Sequence, residues 1–103
     1  MSQKPTYAEI ALEYQRILIQ DLDRILERHG VDLKARRSIC LSYAFQTGTL
    51  YDGARLEANG VEFSPELVFK LISGAVISNT ERLCFHDNAS NSVFNYFDAQ
   101  EGL

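Results

Sequence analysis

The chain has 103 residues, 46% of them apolar and 23% charged, and its ten basic and fourteen acidic residues give a net charge of −4. These figures exclude a disordered polyelectrolyte, and no run approaches the roughly 20 apolar residues of a membrane span, so one domain over residues 1–103 with one modest core is expected. Residues 61–103 hold six acids against two bases; this acidic late half repels phosphate and makes nucleic acid a poor candidate partner.

The N-terminal MSQKPTYAEI has no apolar targeting region. The two cysteines, Cys40 and Cys84, fall on different segments outside any CxxC pair. A reducing, cytoplasmic setting with both thiols free is the expectation.

The first segment, residues 6–29, opens on Thr6 with Glu9 three residues on, the spacing of a capping box. Tyr7, Ala11, Tyr14, Leu18, Leu22 and Ile25 recur at steps of three and four, with Ile10 and Ile17 beside them. A second row, Leu12, Ile19 and Leu26, runs alongside at seven-residue spacing. The apolar arc of this amphipathic helix spans about 200°, whereas one neighbouring helix covers only about 100°. Two partners are therefore needed, and the second is either another helix of the same chain or a second subunit.

Gly30 suits the left-handed position after a helix, and Asp32 suits the cap of the next one. The break permits only an antiparallel return. The second predicted helix, residues 33–57, places Ile39, Cys40, Tyr43, Ala44, Thr47, Leu50, Tyr51 and Ala54 on one face. Gly48 and Gly53 within it either permit close helix contact or end the helix early. Its basic knot, Lys34, Arg36 and Arg37, reads as a solvated first turn.

Asn59-Gly60 admits two readings. It can form a type I′ turn between strands LEA and VEF, or mark a helix end before a new start at Ser64-Pro65-Glu66. Helix is the reading taken, because Leu67/Val68, Leu71/Ile72, Ala75/Val76, Asn79/Thr80 and Leu83/Cys84 recur every four residues, giving a third helix over 65–86. The piece AVIS after Gly74 is its weak point. HDNASNS, residues 86–92, reads as a loop, followed by a short helix over 93–101 before Gly102.

The expected fold is all-α: an antiparallel bundle of three long helices plus a short C-terminal helix. The alternative is α+β, a helical hairpin packed on a small β-hairpin built from residues 55–72.

Few residues carry chemistry. Asp21 falls inside the apolar arc of the first helix, where a carboxylate needs a donor such as Tyr43 or Arg36, or an edge position reaching water. Asn79, a polar residue in an apolar seam, can fix register or recognise a partner. Cys84, His86 and Asp87 are the densest reactive cluster, yet on one continuous helix a Cys and a His two residues apart point about 200° from each other, which prevents pairing. No catalytic set, cofactor motif or metal-ligand spacing emerges. The function expected is a non-enzymatic interaction module, a small acidic regulator, inhibitor or adaptor, with a protein partner or self-association as a homodimer through Leu12, Ile19, Leu26, Asp21 and Asn79. The alternative is a small enzyme or ligand-binding bundle with a pocket near Asp21, Tyr43 and Cys40.

Overall fold

The computed structural model describes residues 5–101. The elements follow in the order α1 (Tyr7–Arg28), α2 (Leu33–Tyr51), β1 (Leu56–Ala58), β2 (Val61–Phe63), β3 (Phe69–Lys70), β4 (Val76–Ile77) and α3 (Phe85–Glu101). The expected bundle of three long helices plus a short one is thereby corrected to three helices and two small antiparallel hairpins. Gly102 and the first four residues of the N-terminal reading lie outside the described residues.

Local chemistry accounts for α1 and α2. The Thr6 hydroxyl accepts from the Glu9 amide at 3.2 Å while the Glu9 carboxylate accepts from the Thr6 amide, closing the capping box. At the other end Gly30, at φ +79°, donates to Glu27, and Val31 donates to Leu26, which satisfies the last carbonyls. Asp32 caps α2 through the Ala35 amide at 2.8 Å. α2 ends at Tyr51 rather than at residue 57, because Gly53 at φ +96° turns the chain out of the helix.

The stretch expected as a third helix is extended. Asn59 (φ +50°) and Gly60 (φ +79°) form the turn between LEA and VEF, with Leu56 opposite Phe63. From Pro65 to Ile72 half-buried and exposed residues alternate strictly, a period of two. Phe69 then pairs with Ile77 across a turn at Gly74, φ +97°. The four-residue recurrence of apolar pairs fits that alternation as well as it fits a helix, and β-branched Val68, Ile72, Val76 and Ile77 favour the strand.

α3 is the third long helix. It absorbs HDNASNS, whose Asn and Ser side chains had suggested a loop. Ala89, Val93, Tyr96 and Phe97 bury themselves with Ile19, Cys40 and Ala44 in the main core, with Leu22, Leu26 and Leu41 at its margin. Burial on this stripe overrides the weak helix propensity of the polar residues around it. A second cluster joins Tyr7, Ala11 and Phe85 to Tyr51, Leu67, Phe69, Ile77 and Leu83, and fastens the β3–β4 hairpin to the start of α1. Neither cluster includes a residue of β1 or β2, so that hairpin projects as an arm. The radius of gyration is 15.6 Å, above the roughly 13 Å of a compact chain this long. Among the described residues no helix is long and apolar enough to cross a membrane.

Candidate functional site

α3 covers one face of the α1–α2 hairpin. Its Ser92 hydroxyl donates to Gln15 at 2.6 Å, and its Tyr96 hydroxyl donates to Asp23 at 2.9 Å. Asp23 also accepts from Arg36 Nε at 2.7 Å, and Arg36 goes on to the Val31 carbonyl at 2.8 Å. Burial first, then the Asp23 carboxylate, pushes the Tyr96 hydroxyl up to about 12. The buried acid of α1 is thus Asp23 and not Asp21, and one of its donors is Arg36.

Asp21 is exposed. Ile19 is 1% exposed in the core, while Leu12 and Leu26 are half-buried. Leu12 lines a surface hollow with Asn88, Asn95 and Tyr96 of α3, so the second apolar row of α1 lies toward α3 of the same chain. Asn79 is half-buried and bonds Leu83 twice, through amide and carbonyl, bracketing the loop before α3. Cys40 is fully buried, its thiol pushed up to about 11 chiefly by burial, whereas Tyr43 is exposed. Asp21, Tyr43 and Cys40 are not brought together. Of the basic knot, Arg36 holds Asp23, and Arg37 holds Asp98 and lies over the Phe97 ring.

On the hairpin face opposite α3, among the described residues, a set of apolar side chains stays partly exposed. On α1 Tyr14, Ile17, Asp21 and Ile25 follow at steps of three and four, one stripe of a helix. On α2 Ile39, Tyr43 and Leu50 follow at steps of four and seven, again one stripe. At about 100° per residue, each stripe begins where that helix's contact with the other ends, on the side away from α3. Leu18, Thr47, Gly48 and Tyr51 line a narrow crevice between the two helices that Leu67 and Phe85 also border. The six apolar members are each 37–45% exposed. Phe69 extends the surface, with its ring 5.6 Å from that of Tyr14, beside a shallow groove lined by Ile10, Tyr14 and Ile17.

A polar junction forms where α2 meets α3. Asp52 follows the last residue of α2, and Cys84 immediately precedes α3. Asp52 Oδ1 accepts from the Phe85 amide and Oδ2 from the His86 amide, each at 2.8 Å. Oδ2 also lies 2.5 Å from His86 Nδ1, and Cys84 Sγ lies 3.3 Å from the same nitrogen. Burial raises the Asp52 carboxyl, but the His86 and Phe85 amides, the His86 ring and Cys84 outweigh it and hold the group below its ordinary value. The Cys84 thiol goes up, first through burial.

The expected divergence of Cys84 and His86 required a continuous helix. α3 instead starts at Phe85, leaving Cys84 outside it and free to turn toward His86. Cys84 and Asp87 have the spacing of a cap and its third residue, a signal available in the sequence. The contribution of Asp52 carried no local signal. Gly48 permits the whole arrangement, because a Cβ there would lie 2.7 Å from the His86 nitrogen.

Comparison with protein-family models, with curated proteins and with solved structures finds no match to this chain.

Proposed function

We propose that this protein is a non-enzymatic interaction module that associates with a second copy of itself through the partly exposed face of the α1–α2 hairpin, and that it acts as a small cytoplasmic regulator, inhibitor or adaptor. The observation carrying this reading is the pair of adjacent apolar stripes, Tyr14, Ile17 and Ile25 with Ile39, Tyr43 and Leu50, each residue about two-fifths exposed. Six such side chains leave on the order of 400–500 Å² uncovered, about half of the roughly 800 Å² that one partner contributes to a stable interface.

The charges on this face favour self-pairing. Asp21 lies within the α1 stripe, and it borders a surface hollow together with Arg24, Ile25, Glu27 and Arg28. In a two-fold antiparallel contact of α1 with its copy, Asp21 of one chain meets Arg24 or Arg28 of the other, and the pairing repeats across the axis. The two free cysteines agree with a reducing compartment.

Sedimentation equilibrium tests this reading. The expected result is a dimer whose dissociation constant rises at least tenfold in Ile17→Glu and in Tyr43→Glu. Phe94→Ser, at an exposed residue of α3 away from the face, should leave it unchanged. A chain that stays monomeric across a wide concentration range, or a dimer indifferent to both glutamate variants, would overturn it.

A further inference from the structure

We propose that Asp52, Cys84 and His86 bind a zinc ion through Asp52 Oδ2, Cys84 Sγ and His86 Nδ1, with solvent completing the coordination. The three side chains each bring one ligand atom, and all of these atoms lie within 4.8 Å of one another. Around a tetrahedral zinc with bonds of about 2.0–2.3 Å, ligand atoms stand roughly 3.3–3.6 Å apart. Sγ to Nδ1 is 3.3 Å and Sγ to Oδ2 is 3.5 Å, so two of the three edges already have that length. The third edge, Nδ1 to Oδ2, is a 2.5 Å hydrogen bond. Replacing its proton with the metal opens that edge by about 0.8 Å. Asp52 Oδ1 keeps the Phe85 amide, so α3 stays capped.

The surroundings match what a zinc ligand set requires. A metal-bound imidazole usually gives its other N–H to a carboxylate, which fixes the ring. Here His86 Nε2 faces Asp87 Oδ1 at 3.3 Å while Nδ1 faces the cluster. Among first-row metals, a thiolate, an imidazole and a carboxylate together suit zinc. Asp52 and Cys84 also form one wall of a cavity of about 310 Å³ that Tyr7, Glu66, Asn79 and Arg82 help to line. Water reaches the open position from there. Binding releases the Cys84 thiol proton to solvent as the S–metal bond forms, and the N–metal bond forms as the ring's one proton passes from Nδ1 to Nε2, where it faces Asp87.

The test uses the reduced, metal-free full chain. Cadmium should raise a thiolate-to-metal charge-transfer band that saturates at one equivalent per chain, and zinc should abolish the band by competition. Cys84→Ser should lose the band and Cys40→Ser should keep it. Asp87→Asn, at a residue that touches His86 Nε2 and the Cys84 thiol without being a ligand, should keep the one-to-one stoichiometry while weakening affinity about tenfold to hundredfold. Should Cys84→Ser fail to fold, the unaltered chain still decides, because bound zinc must slow alkylation of Cys84 as mapped by mass spectrometry. Absence of the band in excess cadmium, its survival in folded Cys84→Ser, or alkylation of Cys84 at the same rate with and without zinc would overturn the site.

Discussion

The backbone nitrogen of His86 stands 2.7 Å from the point where a Cβ on Gly48 would lie, and its Cα stands 2.9 Å away. Both obstacles are backbone atoms at the start of α3, so no side chain can swing aside to make room. Gly48→Ala gains about 1 kcal/mol of helix propensity yet forces α2 and α3 apart, a cost of about 1–3 kcal/mol or more. Net destabilisation in urea unfolding is expected. A variant more stable than the parent would show that the helices do not meet this closely.

Asp52 joins the same two helices by accepting two α3 amides and the His86 ring. With metal removed by a chelator, Asp52→Ala should cost at least the roughly 1–2 kcal/mol of a lost helix cap. Asp52→Asn keeps an acceptor oxygen and should cost less. Denaturant midpoints of the two variants check the order, and equal losses would assign the effect to charge rather than to capping.

These contacts also mark how far the sequence could be read. α1 and the turn after it were legible because Thr6, Glu9, Gly30 and Asp32 act on backbone groups within a few residues of themselves. Residues 65–77 were ambiguous because their apolar pairs satisfy two periods at once. The choice fell to distant contacts, among them Phe69 against Tyr7 and Tyr14, with ring centroids 5.4 and 5.6 Å apart. Which aspartate of α1 is buried likewise depends on where α3 docks. Tyr96 comes from 73 positions along the chain to select Asp23 over Asp21. The polar junction was half visible, since Cys84, His86 and Asp87 stood out as a cluster. Their convergence depends on Asp52, more than thirty residues earlier, and on the missing side chain of Gly48.

The Tyr96–Asp23 bond predicts an alkaline limit to stability. Burial and the Asp23 carboxylate hold the folded Tyr96 at about 12 against an ordinary 10, with Arg24 opposing. Cys40 stands at about 11 against 9, raised by burial and Asp23 and opposed by Arg36. Each folded value is raised, so folding retains a proton that the unfolded chain gives up. The stabilisation is complete below the unfolded value and is lost as pH rises through the folded one. Thermal midpoints should therefore be flat toward pH 9 and fall between pH 9 and 12. Tyr96→Phe should cost about 1.5–3 kcal/mol at neutral pH, the worth of a hydrogen bond to a charged group, and should flatten the part of the fall above pH 10. An unchanged alkaline slope in that variant would remove Tyr96 as its source.

The projecting β1–β2 hairpin should be dispensable for folding. A lone two-stranded hairpin is marginal in water, and this one exposes Val61 at 65% and Phe63 at 45% instead of burying them in either core cluster. Its base is closed by the Ser64 hydroxyl donating to the Ala54 carbonyl at 2.6 Å, so the chain enters and leaves the arm at one point. Replacing residues 56–62 with two glycines shortens a surface connection without pulling α2 away from the second hairpin. The thermal midpoint should barely move, with a free-energy change within about 0.5 kcal/mol, and amides in the unaltered chain should exchange fastest in this arm. Collapse of the shortened chain would mean instead that the arm supports the cluster around Phe85 through the segment leading into β3.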